Sequence, residues 1–251
     1  MARDGAENTV ALLTWERIAE RLAAGAAAIL PVGAGAKQHG LHLPMSTDQI
    51  LAEHLARVLA RDLDALVWPT LTYGHYPAFT RYAGSLSLSA ATLETTVGEL
   101  VEGLIGFGAC SAIVLNTGLS TIAPVDRAIE RASRPGIIAH AKVFSGSHYA
   151  KAASELRQQS YGSHADEMET SIMLAVAPHL VDMARARASP PLRDAPQPGP
   201  LDPSDSASAN YSPSGSFGDP RLATLQKGRM LLEAIEADVR AVAILHHRQH
   251  Y

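Results

Sequence analysis

Apolar residues fall into two kinds of run along the chain: short runs without a polar break, and longer runs with one apolar face. The unbroken runs are typical of strands that are buried on both faces, as in a parallel sheet. Strands are predicted at residues 26–32, 63–68, 111–115 and 136–143. The first is apolar without a break, whereas Asp64 lies in the second, Ser111 begins the third, and His140 and Lys142 lie in the fourth. Elsewhere apolar residues recur every three or four positions, which predicts amphipathic helices. These helices are predicted to begin near residues 14, 47, 89, 124, 163–166 and 222.

Strands and helices therefore alternate along most of the chain. Such alternation predicts parallel strands joined by right-handed crossovers, with helices on both faces of the sheet. We predict an α/β fold, a three-layer α/β/α sandwich with a mostly parallel central sheet, built as a single domain over residues 1–251. Residues 1–9 are predicted to be disordered, and residues 189–214, rich in Pro and Ser, are predicted to form a surface loop.

A polar loop follows the first predicted strand. It carries five side chains that can hold or move ions: Lys37, Gln38, His39, His42 and Asp48. Open α/β sheets carry their sites at the carboxyl ends of strands, so an imidazole and a carboxylate here could form half of a metal site. The alternative is structural, with Asp48 as a helix N-cap and His42 as an ordinary loop histidine.

A second cluster of titratable residues lies at the start of a later helix, which Ser163 or Asp166 can cap. The cluster contains His164, Glu167 and Glu169. Carboxylates at a helix N-terminus are stabilised by about 0.3–1 kcal/mol each, which could explain both glutamates. The three-residue spacing of His164 and Glu167 would place both on one helix face and favours chemistry instead. Both interpretations stay open.

Two further segments could contribute to a site. Residues 71–89 are rich in aromatic residues and are broken by Gly and Pro. This composition is typical of a loop that lines a pocket or an interface. The polar C-terminal tail contains His246, His247 and His250. Such a tail could bind metal adventitiously, although it lacks the fixed geometry of a ligand set.

Composition limits the location and the partners. The chain has 251 residues, of which 18% are charged, and a formal net charge of -4, so it lacks the basic surface typical of nucleic-acid binding. Its longest apolar run, residues 22–35, is too short to cross a bilayer and contains Pro31. The single cysteine, Cys110, cannot form an internal disulfide, and no signal peptide is recognisable. We predict a cytoplasmic protein without nucleic-acid or membrane partners.

Three stretches resemble motifs of the creatininase family of metal-dependent amidohydrolases. They read GAGAKQHGLHLPMSTD at 33–48, NTGLST at 116–121 and HADEMETS at 164–171. Members of the family carry G-x-x-E-Q-H-G-P-H-L-P-x-x-T-D, then N-G-H-G-G-N or a close relative, and H-A-G-E-x-E-T-S. The aromatic loop and the stretch SGSFGDP at 214–220 are also similar. The resemblance extends from about Leu30 to the last helix and implies a creatininase-like fold.

The resemblance also implies a set of metal ligands. In the family, two divalent ions are held by the Glu and His of E-Q-H, the Asp of T-D, the His of N-G-H and one further Glu. Here His39, Asp48 and Glu167 match ligands of the family. Lys37 replaces the first glutamate and Gly118 replaces a histidine, and both losses fall on one metal position. The resemblance therefore implies one divalent metal per subunit (Zn²⁺, Mn²⁺ or Fe²⁺), held by the three matching residues.

A charge count suggests how Lys37 could replace the missing ion. An ion of charge +2 together with its own glutamate carries +1, and a protonated lysine carries the same charge. The ammonium could therefore lie where the ion lay, with Asp48 between it and the remaining metal. A carbamylated Lys37 would restore a ligand, but Gly118 would still leave that metal one ligand short.

The activity implied by the resemblance is hydrolysis of a C–N bond in a small polar substrate, which could be an amide, a lactam or a formamide. His164 matches the proton-shuttle histidine of the family, Glu169 would orient it, and Lys37 could stabilise the oxyanion. The family also implies a homo-oligomer, a hexamer. Two other functions stay open. The chain could be an inactive relative that binds a ligand or acts as a scaffold with a Lys37–Asp48 salt bridge, or a lyase or isomerase with Lys37 as base or Schiff-base amine.

Overall fold

The computed structural model describes residues 5–190 and 199–250. In this part of the chain a sheet of four parallel strands forms the centre, in the order β2-β1-β3-β4. The strands are β1 (Ala28–Val32), β2 (Leu66–Val67), β3 (Ala112–Asn116) and β4 (Ile138–Lys142). β1 and β3 pair along their whole length, so their carboxyl ends lie side by side in the middle of the sheet.

Seven α-helices lie in the described residues. They are α1 (Trp15–Ala23), α2 (Thr47–Leu63), α3 (Ala90–Gly106), α4 (Ile122–Glu130), α5 (Ser147–Leu156), α6 (Glu167–Val176) and α7 (Leu225–His250). No helix among the described residues combines the length and the apolar composition that crossing a membrane requires.

The central strands are apolar on both faces because helices cover both faces. In β1, Ile29 faces a core formed with α2, α5, α6 and α7, whereas Leu30 faces a core formed with α1, α3 and α4. In β3, Ile113 and Val114 divide between the same two cores. All four side chains are buried. The predicted three-layer α/β/α sandwich with a mostly parallel sheet is confirmed.

Two predicted helix caps are confirmed. The Ser89 hydroxyl accepts a hydrogen bond from the amide of Thr92 at 3.0 Å, which fixes the start of α3. The Asp166 carboxylate accepts from the amides of Met168 and Glu169 at 2.9 and 3.0 Å, which fixes the start of α6. Each cap satisfies backbone donors that the first helical turn leaves free. The cap at Asp166 decides which glutamate faces the site, as described below.

Two elements differ from the sequence-based expectation. β2 is shorter than residues 63–68, because Leu63 still belongs to α2 and Asp64 ends that helix in a left-handed conformation with φ of 50°. α5 was not predicted. Its sequence, SHYAKAASEL, has few large apolar residues, and Ala153 is its one fully buried residue. Contacts with α7, rather than a strong local pattern, position this helix.

Both ends of the described chain correct the expectation. Gly5–Asn8 form a short 3₁₀ helix, and the Asn8 side-chain amide donates to the carbonyl oxygen of Ala60 at 3.1 Å. The disorder predicted for residues 1–9 is therefore wrong for this described part. At the other end α7 continues to His250, so the predicted polar tail is helical. The side chains of its three histidines lie outside the described residues.

The described part of the predicted Pro/Ser-rich loop, residues 199–214, is partly internal. Asp202 and Tyr211 form an isolated parallel bridge, and Ser212 is only 1% exposed. Directly after it, Phe217 pairs with His164 in an antiparallel bridge. The segment therefore lies against the start of α6 and closes one side of the region around His164.

Candidate metal centre

The carboxyl end of β1 leads into a loop that folds back onto the start of α2. Gly33 permits this approach, because a Cβ there would lie 2.6 Å from the carbonyl oxygen of Asp48. Lys37, His39 and Asp48 come together as a result. The Lys37 Nζ lies 2.7 Å from Asp48 Oδ2, and the His39 Nε2 lies 3.0 Å from Asp48 Oδ1. All three side chains are more than nine-tenths buried.

The protein backbone fixes the orientation of the His39 ring. Its Nδ1 lies 2.9 Å from the carbonyl oxygen of Lys37, which can only accept, so Nδ1 carries a proton. A neutral ring then presents the lone pair of Nε2 to the Asp48 carboxylate, which is also an acceptor. Two acceptors 3.0 Å apart require a shared proton or a cation. A carbonyl behind the imidazole is typical of histidines that ligate a metal.

His164 approaches the same cluster from the residues that precede α6. Its Nε2 lies 2.9 Å from the carbonyl oxygen of Gln38 and donates to it, which leaves Nδ1 3.5 Å from Glu169 Oε2. Burial lowers the pKa of His164 well below its ordinary value, and the charges of His39 and Lys37 lower this pKa further. The ring is therefore neutral near pH 7 and keeps one nitrogen free.

Glu169 completes a group of potential ligands. One candidate ligand atom each from His39, His164 and Glu169 lies within 4.8 Å of the others. Burial raises the pKa of Glu169, so a cation beside it would favour its charged form. Asp48 lies next to His39 but is not one of these three residues. Imidazole and carboxylate donors of this kind suit Zn²⁺ and related divalent metals. The chemistry of these residues fits a divalent ion.

Glu167 lies elsewhere, and its predicted role as a metal ligand is corrected. Its fully buried carboxylate pairs with Lys227 and accepts from two backbone amides at 2.9 and 2.8 Å. Because α6 begins at Glu167, His164 lies outside the helix and the three-residue spacing has no helical meaning. Residues two apart in a helix point to nearly opposite sides, so Glu167 points away from the side that holds Glu169.

The Lys37 ammonium lies between the Asp48 carboxylate and two aromatic rings. Its Nζ is 5.5 Å from the ring centre of Tyr76 and 5.1 Å from that of Phe79. Burial alone would raise the pKa of Asp48, but the charges of Lys37 and His39 hold this pKa well below its usual range. The Tyr76 hydroxyl is buried and has no hydrogen-bond partner among the described residues. Its hydrogen-bonding capacity is therefore unused within the described structure.

The loop that follows β3 approaches Asp48 as well. The Thr117 hydroxyl donates to the carbonyl oxygen of Asp48 at 3.1 Å. The Asn116 side-chain oxygen accepts from the amide of Gly118 at 3.0 Å and from the hydroxyl of Thr121 at 2.7 Å. Asn116 therefore shapes the loop, and Gly118 has no side chain to offer. Within the described structure this loop contributes no member to the ligand group.

Gln38 is a contributor that the sequence pattern did not assign. Its side-chain amide donates to the carbonyl oxygen of Gly215 at 2.8 Å, and its side-chain oxygen accepts from the amide of Gly40 at 2.8 Å. Its own carbonyl oxygen fixes His164. Gln38 therefore joins the first motif to the SGSFGDP stretch. The family-like character of both stretches was the available signal, but sequence alone does not say that they touch.

His42, the other histidine of the first loop, is outside the ligand group. Its Nε2 lies 2.8 Å from the Thr170 hydroxyl, and its buried Nδ1 has no partner in the described part of the chain. Burial is the main cause that lowers the pKa of His42 to about 4, with His39 acting in the same direction and Asp182 opposing it. His42 is therefore neutral near pH 7 and packs the loop against α6.

The lowered pKa of His42 predicts that the stability of the protein depends on pH. Its pKa is about 4 in the folded protein and about 6.5 in an unfolded chain. Between these values the unfolded chain binds a proton that the folded protein does not, so the free energy of unfolding rises with pH. The contribution is on the order of 3 kcal/mol. Urea denaturation in chelator from pH 4 to 7 should show a smaller slope for His42→Gln than for the wild type; identical slopes would contradict this assignment.

Buried histidine and carboxylate side chains at the carboxyl end of a parallel sheet are an arrangement that α/β metal-dependent hydrolases use. A family model described as Creatininase, creatinine amidohydrolase, matches residues 11–242. The chain therefore belongs to the creatininase family of hydrolases, as the sequence motifs predicted.

Individual relatives agree with this assignment. The chain is 31% identical over 241 residues to the creatinine amidohydrolase of Pseudomonas putida, covering 88% of this chain and 90% of the relative. It is 29% identical over 233 residues to the mycofactocin precursor peptide peptidase of Mycobacterium tuberculosis (strain CDC 1551 / Oshkosh), covering 86% and 84%. A solved structure described as "Creatininase Mn" superimposes with a TM-score of 0.80 and 27% identity, covering 93% of this chain and 96% of that one.

Proposed function

We propose that this protein hydrolyses a C–N bond of a small polar amide, lactam or formamide and holds one divalent metal per subunit. The observation that carries the proposal is the contact of His39 Nε2 with Asp48 Oδ1 at 3.0 Å, with the other ring nitrogen bonded to a carbonyl. This separation suits two neighbouring ligands of one ion, for which each bond is about 2.0–2.1 Å. The named activities of the relatives, an amidohydrolase and a peptidase, support hydrolysis of an amide-type bond.

His39, Asp48 and Glu169 would hold the metal, with Glu169 in the position that the sequence assigned to Glu167. A bound divalent ion polarises a carbonyl oxygen and lowers the pKa of water. Zn²⁺, Mn²⁺ and Fe²⁺ all suit imidazole and carboxylate donors. The manganese form of a solved relative supports a divalent metal in this family.

Lys37 supplies a second positive charge. Its ammonium is buried beside Asp48 Oδ2 at 2.7 Å. From there it can donate a hydrogen bond to an oxygen that gains negative charge while a substrate carbonyl is attacked. Such a donor is stronger in a buried site than in water. The charges also agree: the Lys37 ammonium carries +1, which equals the sum of a divalent ion (+2) and the glutamate ligand (-1) that the family has in this place.

His164 moves the proton. Its Nε2–H is held by the Gln38 carbonyl, so Nδ1 is the nitrogen that exchanges a proton. The lowered pKa keeps Nδ1 free to accept a proton from the attacking water. The same low pKa means that Nδ1 gives this proton up readily, and the leaving nitrogen of the substrate is its acceptor. Once Nδ1 carries the proton, the Glu169 carboxylate, 3.5 Å away, would stabilise the charged ring and hold its orientation.

Metal analysis tests the proposal. Protein purified without chelator is expected to contain one equivalent of divalent metal per subunit, measured by elemental mass spectrometry. His39→Ala should remove both the metal and the activity, because it deletes the ring nitrogen that lies 3.0 Å from Asp48 Oδ1. His54→Ala is the matched control, since His54 lies on α2 but pairs with Glu236 at 3.3 Å. Two equivalents would contradict the one-metal centre.

A second candidate is a ligand-binding or scaffold protein without chemistry. The buried Lys37–Asp48 ion pair favours it, because Asp48 is then satisfied without a metal. In that state both nitrogens of His39 would carry protons, and Asp48 would accept from Nε2. The same metal analysis separates the candidates: no metal, together with a melting temperature that chelator leaves unchanged, would support the binding protein.

Assembly and location complete the proposal. We propose a cytoplasmic homo-oligomer, a hexamer by resemblance to the family, with a small molecule as substrate and no nucleic-acid or membrane partner. Large apolar side chains support an assembly: Leu12, Trp15 and Phe107 are 69%, 77% and 70% exposed. Partner subunits usually cover such side chains.

A further inference from the structure

A cavity of about 170 Å³ adjoins the candidate metal centre. Glu169 lines it, together with Leu119 of the loop after β3 and Ser163, the neighbour of His164. At about 30 Å³ for each water-sized group, the cavity holds about six such groups, which is less than a drug-sized ligand requires. It suits one small substituent of a molecule whose reacting bond lies at the metal centre.

Arg157 gives this cavity its chemistry. Arg157 is an exposed residue at the edge of the cavity, and its guanidinium forms no ion pair or side-chain hydrogen bond with any other described residue. The hydroxyls of Tyr149 and Ser163, which line the same cavity, also lack hydrogen-bond partners in the described structure. Three free donor groups therefore surround one small space. A ligand with several acceptor oxygens would satisfy them.

The two carboxylates that line the cavity already have other partners. Asp166 accepts from the amides of Met168 and Glu169 as the cap of α6, where the helix dipole favours a negative charge. Glu169 belongs to the proposed metal centre. Arg157 is exposed to solvent, and its charge helps to lower the pKa of Asp166, which burial raises. Because the amides of α6 already bind Asp166, the guanidinium can still pair with an anionic group of a bound molecule.

We propose that Arg157 binds a carboxylate of the substrate, and that the substrates are small amides that carry a free carboxylate a few atoms from the scissile C–N bond. Guanidinium and carboxylate match through two parallel hydrogen bonds. The Tyr149 hydroxyl can donate a third. The Phe144 ring, 5.4 Å from that of Tyr149, and the Leu119 side chain provide an apolar wall for the intervening carbon atoms. This assignment of a substrate class rests on the proposed hydrolase function; N-acylated amino acids have the required chemistry.

A matched pair of probes tests the proposal. N-acetylglycine and N-acetylglycinamide have nearly the same shape but differ in charge. Binding to the metal-loaded protein would be measured by calorimetry, and hydrolysis by release of acetate. We expect N-acetylglycine to bind at least about tenfold more tightly and to have the higher kcat/KM. Arg157→Gln should abolish the preference and Arg157→Lys should retain part of it. Lys151→Gln, which removes an exposed charge of α5 outside the cavity, should leave the preference unchanged.

Each outcome decides one of the two ideas. Equal affinity for both probes, no binding of N-acetylglycine, or an equal loss for both probes in Arg157→Gln would overturn the carboxylate site. Equal release of acetate from both probes would overturn it too, while supporting the hydrolase. An Arg157-dependent preference in binding without any release of acetate would support the carboxylate site and contradict the hydrolase. Melting temperatures verify that each variant is folded.

Discussion

Glu169→Gln is expected to remove the bound metal and to lower kcat/KM by a factor of about 10²–10³, a loss typical of removing one charged contact at a reacting centre. Glu167→Gln, two positions away, is expected to leave the metal content unchanged. The difference follows from the start of α6: Glu169 lies within 4.8 Å of His39 and His164, whereas the Glu167 carboxylate pairs with Lys227. Metal content per folded subunit and kcat/KM are the measurements.

Glu167→Gln is expected to change the free energy of unfolding instead of the metal content. It leaves the Lys227 ammonium, which is only 12% exposed, without its carboxylate. The free energy of unfolding should therefore fall by about 3–5 kcal/mol, as when one partner of a buried ion pair is removed. The two variants thus distinguish a metal ligand, Glu169, from a carboxylate that stabilises the fold, Glu167. Loss of metal in Glu167→Gln with retention in Glu169→Gln would restore the assignment made from sequence and reject the present one.

The architecture was predictable because the central strands are unbroken apolar runs. Ile29 and Leu30 need partners on opposite faces of the sheet, and this requirement alone implies two helical layers. α5 was not predictable in the same way. Of its residues only Ala153 is fully buried, so its position depends on α7, which lies far away in the sequence. Local patterns identify the elements that the core needs, and they miss elements that another helix holds in place.

The site residues likewise fall into those that sequence alone could place and those that it could not. Lys37, His39 and Asp48 lie within one loop and one helix start, so their meeting could be expected from sequence. Deciding whether Glu167 or Glu169 is the ligand required the exact first residue of α6. The cap at Asp166 fixes that residue, because it starts the helix at Glu167 and leaves His164 before it. The family resemblance supplied the motif, but the cap decides which carboxylate faces the ligands.

Contacts between residues that lie far apart in the sequence could not be predicted from it. The Tyr76 and Phe79 rings beside the Lys37 ammonium come from the aromatic loop, and pattern alone gives such a loop no fixed place. The same holds for Gln38 and Gly215, which are 177 positions apart. These contacts bury the lysine. They convert an ammonium on a loop into a fixed charge inside the site.

Lys37→Met is expected to destabilise the metal-free protein by about 3–5 kcal/mol, because it leaves the Asp48 carboxylate charged and buried without its ammonium. Methionine keeps the length of the side chain, so the change removes charge rather than volume. The lowered pKa of Asp48 sets the pH window. A carboxylate of lowered pKa contributes stability above its ordinary value of about 3.9 and loses it as pH falls further. The unfolded chains of wild type and variant titrate alike at Asp48. The difference in stability should therefore be full where Asp48 is charged in both folded proteins, and it should shrink as the pH falls and Asp48 is protonated first in the variant, which lacks the ammonium.

Two comparisons isolate the charge of Lys37. In Lys37→Met/Asp48→Asn both charges are gone, so the double variant should be more stable than Lys37→Met alone, and the double-mutant cycle gives the coupling energy of the pair. Added Zn²⁺ should stabilise Lys37→Met more than the wild type, because a cation held by His39 and Asp48 then compensates the same carboxylate. Urea denaturation with Zn²⁺ and with chelator measures both effects. Equal stability of Lys37→Met and wild type in chelator at pH 7 would mean that the ammonium does not compensate Asp48. The lysine would then not have replaced a metal ion, and the losses at Lys37 and Gly118 would need separate explanations.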